Sequence, residues 1–158
     1  MITLVDFLRW LHVIGATVLL GTGAGIAFFM LVAHRTNNSE IIAHTAKFVV
    51  LADWIFTATA AIVQPITGGL LAVQLGWHLD EPWLFISIGL YVFVGAFWLP
   101  VVWIQKQMQR LAEEAVMAEA DLPPRYYRLF GIWFTCGFPA FFAMLVIIWL
   151  MTARPAFG

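Results

Sequence analysis

Four long apolar stretches constrain this chain more than any other feature. A helix rises about 1.5 Å per residue, so about 20 apolar residues cross the ~30 Å hydrocarbon core of a bilayer. The stretches run from Phe7 to Ala33, Ile42 to Leu75, Trp83 to Ile104 and Leu129 to Met151. Hydrophobic residues make up 63% of the 158 and charged residues 11%. That is more apolar side chain than a soluble domain of this size can hide, which excludes an ordinary globular enzyme. A disordered chain is excluded for the same reason. The net charge of −1 leaves no electrostatic case for nucleic acid. A single cysteine, Cys136, permits neither an internal disulfide nor a multi-cysteine metal site. The first apolar run outlasts a signal peptide's apolar region, and no small-residue cleavage site precedes Arg35, so it is read as a retained span.

The spans are separated by clear breaks. His34 to Glu40 is a polar turn whose Asn-Asn-Ser residues suit the start of the next helix. Gly76 to Pro82 is a second short turn. From Lys106 to Arg128, Met108, Leu111, Ala115, Ala118 and Leu122 recur at steps of three and four. This spacing predicts that the third helix continues as an amphipathic extension over about 105–122, ended by Pro123-Pro124. Six basic residues (Arg35, Lys47, Lys106, Arg110, Arg125 and Arg128) fall on one side of the spans, and only Arg9 and Arg154 on the other. The bias predicts cytoplasmic basic loops, a cytoplasmic extension and both termini outside. Tryptophans near both ends of the spans agree with two interfacial belts. The expected fold is all-α: one multi-pass membrane domain over residues 1–158, built as an antiparallel bundle of four transmembrane helices.

Polar groups inside lipid are costly, so each is a functional candidate. His12 lies in the outer part of the first span, one turn after Arg9, with Gly15, Thr22 and Gly23 following at helical spacing. Imidazole ligates haem, copper or zinc, and small side chains beside it would admit a flat macrocycle. Equally, His12 reads as a structural histidine hydrogen-bonded to a neighbouring helix. His78, in the outer turn, is a candidate second ligand or a solvated residue. His34, His44 and Glu40 flank the other turn at no recognised metal-ligand spacing. Asp53, about two turns into the second span, reads as a proton relay or as a packing hydrogen bond, with Thr57 on its face. Pro65 frees a carbonyl near Ala61, and with Gln64 and Thr67 it marks either a ligand pocket or a packed kink. Pro100 and Pro139 predict further kinks, with Thr135 and Cys136 placed to refill hydrogen bonding near Pro139. Gly21 and Gly25 fit the small-xxx-small pattern of close helix contact rather than a phosphate loop.

These residues resemble an uncharacterised bacterial family of integral membrane proteins, domain of unknown function 2269. The likeness rests on Leu11-His12-Val-Ile-Gly15, on Gly21-Thr-Gly-Ala-Gly-Ile-Ala-Phe-Phe-Met30 and on Ala52-Asp53-Trp54. It continues through Gln64-Pro65-Ile-Thr-Gly68, Trp98-Leu-Pro-Val-Val-Trp103 and Pro123-Pro124-Arg125-Tyr126. More distantly, Leu11-His12 and His34 are similar to the layout of the haem-dependent protoporphyrinogen oxidase family, which implies a haem-b ligand at His12. The chain departs from that family in having no lysine after Trp83. Three functions follow as expectations for a protein of the bacterial inner membrane. The first is a b-type haem protein with a redox or electron-transfer role, an oxidoreductase if it is an enzyme. His12 would be its axial ligand beside Gly15, Arg9 and Arg154 would meet the propionates, and Gln64 or His78 would complete the far side. The second is a cofactor-free binding or accessory subunit that associates, with itself or a partner, through the glycine-rich first helix. The third is a small proton-coupled transporter using Asp53. The bilayer is a partner in all three, and a redox partner is added in the first.

Overall fold

The computed structural model describes residues 2–155. Five α-helices follow one another: α1 Leu4–Arg35, α2 Ser39–Ala52, α3 Ala58–Leu75, α4 Pro82–Met117 and α5 Pro124–Ala153. One π-helical turn, Asp53–Thr57, joins α2 to α3 without a break, so the five helices make four spans. Each span is long and apolar enough to cross a membrane. Large apolar side chains such as Phe29, Ile62, Val73 and Leu99 cover the outer faces. In water that exterior would be a defect; in lipid it is the solvated surface.

Local chemistry sets the ends of the helices. Thr3 and Asp6 form a reciprocal capping box at the start of α1. The Asn38 side chain accepts from the Glu40 and Ile41 N–H groups at 2.9 and 3.1 Å, which begins α2 as the polar turn predicts. Gly76, at φ 67°, ends α3 in the left-handed conformation that glycine adopts without penalty. The extension of the third span is shorter than expected. α4 stops at Met117, and Glu119 turns the chain at φ 48°. The break therefore precedes Pro123-Pro124, and Pro124 instead opens α5 at the first helical position, where its missing N–H costs nothing. Exposed pairs along the extension (Gln109 with Glu113, Arg110 with Glu114) bridge i to i+4 at 2.8 Å.

α4 packs along α5, α2 against α4, and α3 against α1. The two halves of the second span thus serve different neighbours. The larger apolar core gathers at the end of the bundle that carries the two basic connections, around Met30, Ile42, Met108, Ala112 and Tyr126. A smaller core of Ala72, Trp83, Leu84 and Leu150 closes the end that carries the termini. Between the two cores the helices separate, and the candidate site lies there.

Candidate functional site

The space between the cores is a cavity of about 830 Å³, walled by residues of all four spans and partly open at the molecular surface, where Phe28, Trp54, Ile62, Leu99 and Phe138 are exposed. Its lining is almost wholly apolar and rich in rings, with Tyr91, Phe97, Trp98, Trp133 and Phe134 among them. Volumes of roughly 300–1,000 Å³ are usual for small-molecule sites. The π-turn brings the polar groups to it. Asp53 and Thr57, the first and last residues of that turn, both line the cavity and are 4% and 8% exposed.

Neutral donors converge on the Asp53 carboxylate. The Trp98 Nε1–H lies 3.3 and 3.2 Å from its two oxygens. With the Gln105 amide oriented by its partners, Nε2 donates to Asp53 Oδ2 at 3.2 Å and Oε1 accepts from Trp133 Nε1 at 3.2 Å. An indole N–H can only donate, so the chain Trp133 to Gln105 to Asp53 runs one way, towards the acid. Thr57 Oγ1 is turned toward the same carboxylate but meets hydrogen-bond geometry with nothing, and it is buried. Among the described residues the one salt bridge is Arg110–Glu114, so Asp53 has no ionic partner. Lys106 instead sits over the Trp54 ring, 5.0 Å from its centroid.

A second polar contact joins α1 to α3. His12 Nδ1 and Thr67 Oγ1 are 2.8 Å apart, and the Thr67 hydroxyl also reaches the Val63 and Gln64 carbonyls at 3.0 and 3.1 Å. Each helix offers a glycine to the other's side chain. A methyl group on Gly68 would lie 3.1 Å from His12 Cε1, and one on Gly15 would collide with Gln64 Oε1. These two glycines allow close approach of the helices. Gly21 and Gly25, expected to do so, have nothing within 4 Å of where a Cβ would stand.

This interlock bears on the haem expectation. The small residues beside His12 leave no slot, because Gln64 already occupies the space at Gly15 and His12 itself covers Gly68. The cavity lining does not include His12. A macrocycle does not fit there without parting α1 from α3. The other residues expected around a haem lie apart. Arg9 is exposed on α1, and His78 is exposed in the turn between α3 and α4, where its backbone N–H donates to Glu81 at 3.4 Å. The Arg154 guanidinium lies over Trp77 and Trp83, 4.4 and 5.7 Å from the ring centroids. At the other end, the His34 ring stacks on Phe130 at 3.7 Å and 7°, and His44 packs edge-on against Phe48. Among the described residues no three His, Cys, Asp or Glu side chains gather as a metal site.

The Pro65 kink is tied rather than open. Ala61 is the residue whose carbonyl loses its helical partner to Pro65, and the Tyr91 hydroxyl donates to that carbonyl at 2.6 Å. Thr135 Oγ1 donates to the Gly131 carbonyl at 2.8 Å, one turn before the bond that Pro139 removes. Sequence reasoning missed Tyr91, Gln105 and the partnership of Trp133. A signal was present: Tyr91, Trp98 and Gln105 recur every seven residues, which sets three polar-tipped side chains on one face of a helix. All three line the cavity. The sequence profile of one family, described as "Predicted integral membrane protein (DUF2269)", matches residues 6–155. No curated protein and no solved structure matches the chain.

Proposed function

Since the chain belongs to the DUF2269 family of integral membrane proteins, whose description carries no activity, we propose from its own geometry that it binds a small lipophilic molecule within the membrane. The observation that carries this reading is the cavity of about 830 Å³ between two packed cores, with Asp53 and Thr57 at its wall. Apolar walls with a few convergent polar groups are the usual form of a small-molecule site. The body of the ligand meets the rings, and its polar head meets the π-turn. A route from lipid needs no soluble domain, which suits a chain that is almost entirely membrane helix.

The test fills the cavity. Gly95 lines it and has open space where a Cβ would stand. Gly21 is equally open but is not part of the lining. Protein in phospholipid nanodiscs is titrated with a neutral apolar fluorophore, with empty nanodiscs as the blank. Gly95→Trp is expected to weaken saturable binding by about tenfold or more, equivalent to about 1.4 kcal/mol, while Gly21→Trp leaves it unchanged. Equal binding by wild type and both variants would remove the cavity from the account. The absorbance spectrum of the same preparation addresses the haem reading. A Soret band that disappears in His12→Ala would bring that reading back in place of this one.

A further inference from the structure

We infer that the molecule this cavity takes is a lipophilic organic cation, a protonated amine with an apolar body, whose charge is met by the Asp53 carboxylate. The inference rests on the cavity reading above and adds the chemistry of the ligand.

Three observations combine. First, Asp53 is a buried acid in a low-dielectric wall, and no lysine, arginine or histidine lines the cavity with it. The other titratable groups in the lining are Tyr91, which donates to the Ala61 carbonyl, and Cys136. Lys106, on α4, is held over Trp54 and forms no salt bridge with the acid. Trp98 and Gln105 give the carboxylate hydrogen bonds but no compensating charge. A buried carboxyl without an ionic partner either takes a proton or pairs with a cation, and a cation that enters the cavity from outside the chain supplies that pair. Second, aromatic side chains are plentiful in the walls, where nine of the lining residues are Phe, Tyr or Trp. Trp98, itself bonded to Asp53, and Tyr91, Phe97, Trp133 and Phe134 present ring systems that attract a desolvated ammonium. Third, one acceptor is open. Thr57 Oγ1 is buried, turned toward Asp53, and accepts no hydrogen bond. An ammonium N–H directed at the carboxylate has a second N–H for that hydroxyl. A neutral hydrocarbon satisfies none of these groups, and an anion is repelled by the acid.

The test uses two probes of one shape. Naphthylmethylamine, protonated at neutral pH, and the neutral naphthylmethanol are measured by equilibrium dialysis against the protein in zwitterionic nanodiscs, with empty nanodiscs subtracted. The amine is expected to bind wild type about tenfold or more tightly than the alcohol, a difference of the size a desolvated cation–aromatic contact supplies. Asp53→Asn is expected to bring the amine down to the level of the alcohol while leaving the alcohol unchanged. Thr57→Val, which keeps both shape and charge, is expected to weaken the amine several-fold and provides the readout where Asp53→Asn does not fold. Saturable binding of the alcohol at the affinity of the amine in wild type would overturn the cation and leave the cavity standing. So would an amine affinity that survives Asp53→Asn. Saturable binding of neither probe would overturn both.

Discussion

Gly68→Ala and Gly25→Ala are the same chemical change on helices of the same bundle, and the structure gives them different consequences. Outside any contact, replacing a helical glycine by alanine stabilises a helix by about 1 kcal/mol, since alanine loses less backbone freedom. At Gly25 nothing stands within 4 Å of the new methyl, so that gain is expected in full. At Gly68 the methyl lies 3.1 Å from His12 Cε1. The imidazole is tethered to the same helix by the 2.8 Å contact of Nδ1, the atom bonded to Cε1, with Thr67. It must therefore give by a few tenths of an ångström, or α1 must part from α3. Overpacking of this kind costs about 1–3 kcal/mol. The propensity gain is common to both sites, so the difference between the two variants isolates the packing cost, about 1–3 kcal/mol in disfavour of Gly68→Ala. Reversible unfolding in mixed detergent micelles, followed by helical circular dichroism, measures it. A second arm fixes the cause: in a His12→Ala background the penalty at Gly68 is expected to vanish. The reasoning fails if Gly68→Ala is as stable as Gly25→Ala, or if the penalty persists once the imidazole is gone.

Three further outcomes are expected from the same unfolding assay. Tyr91→Phe takes from the Ala61 carbonyl the hydroxyl that answers it at 2.6 Å and is expected to cost about 1–3 kcal/mol. Pro65→Ala restores a helical N–H to that carbonyl, so Tyr91→Phe is expected to cost much less in its presence; strict additivity of the two would refute the link. Gln64 Oε1 is buried with no partner, so Gln64→Met, which keeps the length and drops the orphaned oxygen, is expected to raise the unfolding free energy by about 1 kcal/mol. Gln105→Leu removes a donor from Asp53 and leaves the Trp133 indole N–H unanswered, and a loss of about 2 kcal/mol is expected; an unchanged midpoint would deny the relay.

The spans were legible because a bilayer imposes one coarse rule, a sufficient apolar length, and residues 7–33, 42–75, 83–104 and 129–151 obey it. The turn at Asn38 was legible from capping chemistry, and the carbonyl freed by Pro65 from the missing N–H. The end of α4 was misread because a proline pair is a stronger visual stop than Glu119, whose left-handed turn has no composition signal. Among site residues, His12, Gly15, Gln64 and Thr67 were singled out together and do meet. What they build is a helix contact, because spacing along one helix does not reveal which side chain of another helix fills the gap. The glycine run from Gly21 to Gly25 misled for the same reason: small residues permit close approach and do not create it. The π-turn left no sequence trace, and the carboxylate network depends on three elements far apart in sequence. The seven-residue rhythm of Tyr91, Trp98 and Gln105 was the one local clue to it.

The wide turn at Asp53–Thr57 accommodates one residue more than an α-helix would. Each residue advances a helix by about 100°, so everything after that turn is swivelled by roughly that angle against a continuous rod. Residues 39–52 are thereby keyed to α4, and residues 58–75 to α1. Excision of a single residue would straighten the rod and swing the Gln64 and Thr67 edge away from its socket on α1, so the length of this span, and not only its composition, is under constraint.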